Sequence, residues 1–161
     1  MGVRLLGPPE GPPAEWPIEY FPVIELHHAR FDCEASVRAA ELIAKNGIHA
    51  GVVRNAGASK RCALGDVPLD APVQVSVDGE AREAPVLRDL VLDGAAGPLA
   101  TVAWLHRRLA ADGEALAEGM LLLTATPGSL HPVAPAPAER CGACARVRVE
   151  FDGMSVECTV E

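Results

Sequence analysis

The chain has 161 residues, enough for one domain with a sizeable core, and 49% hydrophobic with 22% charged residues is the profile of a globular protein. A formal net charge of −8 and a pI near 5.1 argue against nucleic acid or an anionic membrane as the partner. The apolar runs are too short to span a membrane, and Pro and Gly break up the N-terminal region before a signal peptide could develop, so a cytoplasmic location is expected. Gly2 follows Met1, but position 6 is Leu6 rather than Ser or Thr, which sets myristoylation aside.

Residues 1–19 read as an irregular arm, with five prolines and three glycines before position 18. An extended PVIEL follows, and then the polar group Glu25, His27, His28 and Arg30. Residues 36–47 (SVRAAELIAKNG) carry the spacing of a helix: Val37, Ala40, Ile43 and Ala44 share a face, Ser36 can cap it and Asn46-Gly47 can end it. HAGVV, 49–53, returns to extended character, and 54–66 reads as loop. In PVQVSVDGE, 72–80, the alternation of Val73, Val75 and Val77 runs into Asp78-Gly79, a hairpin signal. Short extended pieces are expected over 84–94.

A second helix is expected over 97–113, where Pro98 suits the first turn and Gly113 the stop; Leu99, Val102, Ala103, His106 and Leu109 form its inner stripe. MLLLTAT, 120–126, reads as a buried strand. The chain ends in a hairpin around Asp152-Gly153, with Val147, Val149 and Phe151 on one face. The sum is an α+β domain, β-rich, with two helices outside a curled sheet. Five cysteines form no secretory framework: Cys33, Cys62 and Cys158 are scattered, and Cys141 with Cys144 makes a single CxxC. A zinc site completed by distant ligands, a local disulfide and a pair of ordinary loop thiols are the three readings of that pair, and the last needs the fewest assumptions.

GPLATVAWLHRRLAADGEALAEGMLLLTAT, 97–126, with FPVIELHHARF and IAKNGIHAGVV, resembles the 2-keto-4-pentenoate hydratase and 4-oxalocrotonate decarboxylase family of the fumarylacetoacetate hydrolase superfamily. The likeness runs over roughly residues 20–160 and lies with the family's C-terminal region. It implies a barrel-like sheet with an open mouth, flanked by the two helices, and an oligomer. It also implies a small keto-acid or polyketide-like substrate. In relatives, Mg or Mn chelates the substrate carboxylate and 2-oxo oxygen and makes the carbonyl an electron sink. Glu25 falls where relatives place the third carboxylate ligand. The Glu-x-Glu pair that supplies the other two is expected to be missing, because Glu10, Glu15 and Glu19 form no such pair. The isolated chain is therefore expected to hold no cofactor, with Mg or Mn entering only if a partner supplies carboxylates.

The candidate catalytic residues are Glu25, His27, His49 and Asn46. The candidate substrate contacts are Arg30, Thr124, Thr126 and His131. Each has a plainer alternative. Glu25 could be a strand-edge carboxylate, Asn46 a helix cap and Arg30 half of a surface ion pair. The threonines could satisfy backbone groups. His27 and His28 must point to opposite faces of a strand, so at most one enters a cavity, where an imidazole can move protons near neutral pH. His106 sits on the helical stripe and reads as a packed histidine. Two functions follow: a lyase or isomerase working by proton transfer, or a non-catalytic subunit that complements a homologue. The Ala-, Gly-, Pro- and Arg-rich composition suits a bacterial pathway for a secondary metabolite.

Overall fold

The computed structural model describes residues 1–27, 49–131, 133 and 145–160. The helix expected over 36–47, with Asn46, and the residues His28, Arg30, Cys33, Cys141 and Cys144 lie outside these. The described part is mixed α+β and strand-rich, with one α-helix and several antiparallel sheets.

Four strands form the first sheet: β1 (Gly2–Leu5), β2 (Pro17–Phe21), β5 (Lys60–Ala63) and β10 (Leu121–Leu123), in the order β10-β1-β2-β5. The supposed irregular arm thus begins with a strand. Its prolines start only at Pro8, and before them Val3 and Leu5 alternate into the core, where both are buried. Gly2 is needed there, because a Cβ would lie 2.6 Å from the Phe21 ring. The segment expected to be loop likewise supplies β5, which adds to the edge beside β2 although KRCA has no β pattern of its own.

The second sheet has the order β12-β11-β6-β7: β6 (Gln74–Val77), β7 (Glu80–Glu83), β11 (Ala145–Phe151) and β12 (Met154–Val160). Both of its hairpins turn on Asp-Gly as expected. Asp78, Gly79, Asp152 and Gly153 all have positive φ, the backbone that a type I′ turn requires. Val147, Val149 and Phe151 are buried and their neighbours are not, as their alternation in the sequence predicts.

Two ribbons complete the strands: β3 (Val23–His27) with β4 (His49–Arg54), and β8 (Val91–Leu92) with β9 (Ala95–Ala96). Among the described residues none of these sheets closes into a barrel. Helix α1 (Gly97–Ala111) follows β9 directly. Val102 is buried and Leu99, Leu105 and Leu109 pack on the first core, made chiefly of Val3, Leu5, Trp16, Ile18, Leu64 and Phe151. Within MLLLTAT, Leu121–Leu123 form the strand, which among the described residues is an edge strand and is only half-buried: Leu122 faces the core, while Met120 and Leu121 are each 42% exposed.

A polar clamp fastens the two large sheets. Asp152, in the β11–β12 turn, accepts the Tyr20 hydroxyl at 2.7 Å and the Lys60 ammonium at 2.7 Å. Those two contacts hold the Asp152 carboxyl below its usual range, Lys60 having the larger effect. Burial, followed by the bond to Asp152, pushes the Tyr20 phenol well above its own.

Candidate functional site

The β3–β4 ribbon has two unlike faces. Ile24, Leu26 and Val53 lie against a second apolar core with Val147, Val149 and Val156. Alternation then forces Val23, Glu25 and His27 onto the outer face. On β4, Arg54 opposes Val23 and Val52 opposes Glu25, so these two share that outer face.

By strict alternation His49 belongs with Gly51 and Val53 on the core side. A bulge changes this. Leu26 pairs with Gly51, but His27 pairs with His49, so one residue is skipped and His49 moves to the Glu25 face. The result is a carboxylate between two imidazoles. His49 Nδ1 lies 2.8 Å from Glu25 Oε1, and His27 Nε2 lies 3.5 Å from the same oxygen.

The chemistry follows from what each atom can donate. A carboxylate only accepts hydrogen bonds, so His49 must present its Nδ1–H to Glu25. That fixes the tautomer of the neutral ring and leaves Nε2 with the lone pair, the arrangement of a general base backed by an anion. Burial raises the Glu25 carboxyl, but the hydrogen bonds and charges of His49 and His27 outweigh it and the net shift is downward. Glu25 therefore stays ionised at neutral pH and stabilises whichever imidazole takes up a proton.

Among the described residues no group of three or more His, Cys, Asp and Glu side chains is arranged to hold a metal ion. The neighbours of Glu25 are imidazoles, whereas Mg and Mn select oxygen donors, so this donor set does not suit the ion that the resemblance implied.

The other candidates fall elsewhere. Thr124 is buried, its N–H and hydroxyl both donating to the Met1 carbonyl, at 3.1 Å and 3.2 Å. It serves the β1–β10 pairing. Thr126 is exposed and its hydroxyl accepts the Gly128 N–H at 3.3 Å. His131 Nε2 lies 2.8 Å from Glu83 Oε1 on β7. His106 is packed as expected, edge-on to Trp16 with ring centroids 5.0 Å apart, its Nδ1 buried without a partner among the described residues. Two open grooves, of about 510 Å³ and 370 Å³, border the β11–β12 hairpin. No candidate residue lines them, and Arg148, which they share, is already paired with Glu150 and Glu157. Sequence reading missed Arg54, whose guanidinium carbon stands 5.5 Å from the centre of the Phe21 ring. Its signal was its position in GVVR, opposite the strand that carries Glu25.

No protein-family model matches the chain, and no curated protein matches its sequence.

Proposed function

We propose that the outer face of the β3–β4 ribbon is a proton-transfer site acting on a small conjugated keto acid or polyketide-like substrate, within a fumarylacetoacetate hydrolase-type domain. The observation that carries this reading is the 2.8 Å contact that makes His49 a carboxylate-backed imidazole, with His27 beside the same oxygen. In the forward step His49 Nε2 takes a proton from the carbon next to the carbonyl. The bonding pair becomes the enolate, and Glu25 offsets the charge gained by the ring. Returning the proton to a different atom isomerises the substrate, and expelling hydroxide from the carbon β to the carbonyl makes the enzyme a lyase. In a decarboxylation the C–CO2 bonding pair of the keto form itself flows into the carbonyl, and the enolate so formed then takes a proton at carbon from an imidazolium or water. By the sequence resemblance, Glu25 also falls where the family keeps a metal-ligating carboxylate, which supports the same location for the chemistry. Mg or Mn would join only with oxygen donors from another chain, and no step here runs through either.

The test is exchange of the C3 hydrogens of 2-oxobutyrate with D2O, followed by proton NMR. The protein should accelerate the exchange over buffer, and Glu25→Gln and His49→Gln should each remove about 10²-fold or more. If both variants exchange at the parent rate, the site is misassigned.

A complementing, non-catalytic subunit is the second reading. It is favoured by the β10 edge, where Met120 and Leu121 stay exposed beside a strand paired on one side only among the described residues. Co-expression with a full-length hydratase homologue would then give a mixed complex by light scattering. Separate homo-oligomers would dismiss it.

A further inference from the structure

Resting on the proton-transfer reading above, we infer that His27 is the acid that gives a proton to the substrate carbonyl oxygen while His49 removes one from carbon. The observation that carries this is one carboxylate oxygen shared by two imidazoles. Glu25 Oε1 lies 2.8 Å from His49 Nδ1 and 3.5 Å from His27 Nε2. The bulge also makes the two histidines register partners, in a kind of pairing that sets Cβ atoms about 5 Å apart. Base and acid therefore stand side by side on one face. The carbon that loses a proton and the carbonyl oxygen are only two bonds apart, so one C–C=O unit reaches both rings.

The proton count selects the working state. Each ring turns an N–H toward Glu25, so each neutral ring keeps a lone pair on its other nitrogen, Nε2 of His49 and Nδ1 of His27. Two neutral rings make two bases and no acid, and the cluster then carries one negative charge that repels a keto-acid anion. One added proton makes the cluster neutral and turns one ring into an imidazolium, with Glu25 ionised beside it. When that proton sits on His27 Nδ1, the site holds an acid next to a base.

The step then balances. His49 Nε2 takes the proton from carbon and the C–H pair becomes the C=C bond. The carbonyl π pair moves to oxygen, which takes the proton from His27 Nδ1. The substrate becomes its enol with the charge it brought. The positive charge passes from His27 to His49 without leaving the side of Glu25, so one anion serves both halves of the transfer. If the proton on His49 exchanges with solvent before the reverse step, the carbon is labelled.

His27 is exposed, so replacing it does not disturb a core. Among the described residues the other charged or titratable side chains on this face are Glu25, His49 and Arg54, and the buried Met1 α-amino group feels the Glu25 charge. All of these are common to the parent and a His27 variant, so a difference between their pH profiles reports His27. The test is the pH dependence of C3 exchange of 2-oxobutyrate in D2O. The parent should give a bell, rising as His49 loses its proton and falling as His27 loses its own. His27→Gln should exchange about 10²-fold more slowly at the parent's optimum and lose the falling limb. Nitroethane needs only a base, because its carbanion is stable with unprotonated oxygens. With that probe His27→Gln should match the parent within a few-fold, whereas His49→Gln should lose exchange. A bell that persists in His27→Gln, or an equal loss with both probes, overturns the assignment and leaves the His49–Glu25 site standing. A parent that exchanges neither probe faster than buffer overturns both.

Discussion

Two glutamates in this protein meet histidines at the same distance, and they do different work. Glu83 on β7 touches His131 at 2.8 Å, and both of its oxygens also accept the Ser129 N–H, at 2.9 Å and 3.1 Å. Its carboxylate lies so close over Gly128 that a Cβ there would sit 2.2 Å from Oε1. Glu25 meets His49 at 2.8 Å and His27 at 3.5 Å through one oxygen, on an exposed strand face. The first carboxylate is consumed in pinning a loop to a strand. The second holds two imidazoles on a surface that a small molecule can reach. A carboxylate–imidazole distance thus says little about function until the remaining acceptor capacity has been counted.

The sharpest way to break this comparison is to make the same change at both positions. Glu25→Gln should lower the 2-oxobutyrate exchange rate by about 10²-fold or more, since the backing anion is lost. Glu83→Gln should leave that rate unchanged within a few-fold. Equal losses in the two variants would mean that the loop at His131 belongs to the site, as the sequence alone had suggested.

The next effect in size is on stability, and there the order reverses. Glu83→Gln weakens contacts to Ser129 and His131 and should cost about 1–2 kcal/mol in urea unfolding at pH 7. The hydrogen bond from His131, opposed by desolvation and assisted by Ser129, holds the Glu83 carboxyl below its usual range. A carboxyl with a depressed folded pKa contributes stability that is present above its unfolded pKa, about 4.3, and is lost as pH falls through the folded value. The gap between parent and variant should therefore be full at pH 7 and shrink only below about pH 4. A gap that persists undiminished at pH 2 would show that the carboxylate charge is not what holds the loop.

What could be read from the sequence depended on whether one strand carried its own pattern. The β6–β7 and β11–β12 hairpins and helix α1 could be read because alternating valines, Asp-Gly turns and a Pro start each act locally. β1 and β5 could not. Gly-Val-Arg-Leu is too short to outweigh the prolines behind it, and KRCA becomes a strand only because β2 offers an edge. Glu25 and His27 could be assigned to one face from alternation. His49 could not, because a bulge between Leu26 and His27 reverses its side, and a bulge is a property of two paired strands. Arg54 was missed for the same reason: its relation to Glu25 exists only across the ribbon.

The smallest expected effect concerns Thr126, whose place among substrate contacts came from the resemblance. Among the described residues its hydroxyl accepts only the Gly128 N–H, at a long 3.3 Å, in an exposed turn that already contains Pro127 and follows Ala125 at a φ of 64°. A bond of that length in water adds little, because solvent replaces it when it is lost. Thr126→Val should therefore shift urea stability by no more than about 0.5 kcal/mol and leave both exchange kinetics and KM for 2-oxobutyrate as in the parent. A raised KM would instead bring the β10 exit into the same site as the outer face of the β3–β4 ribbon. The comparison would then have to be redrawn, with the Glu83 loop as a wall of the site rather than a fastening remote from it.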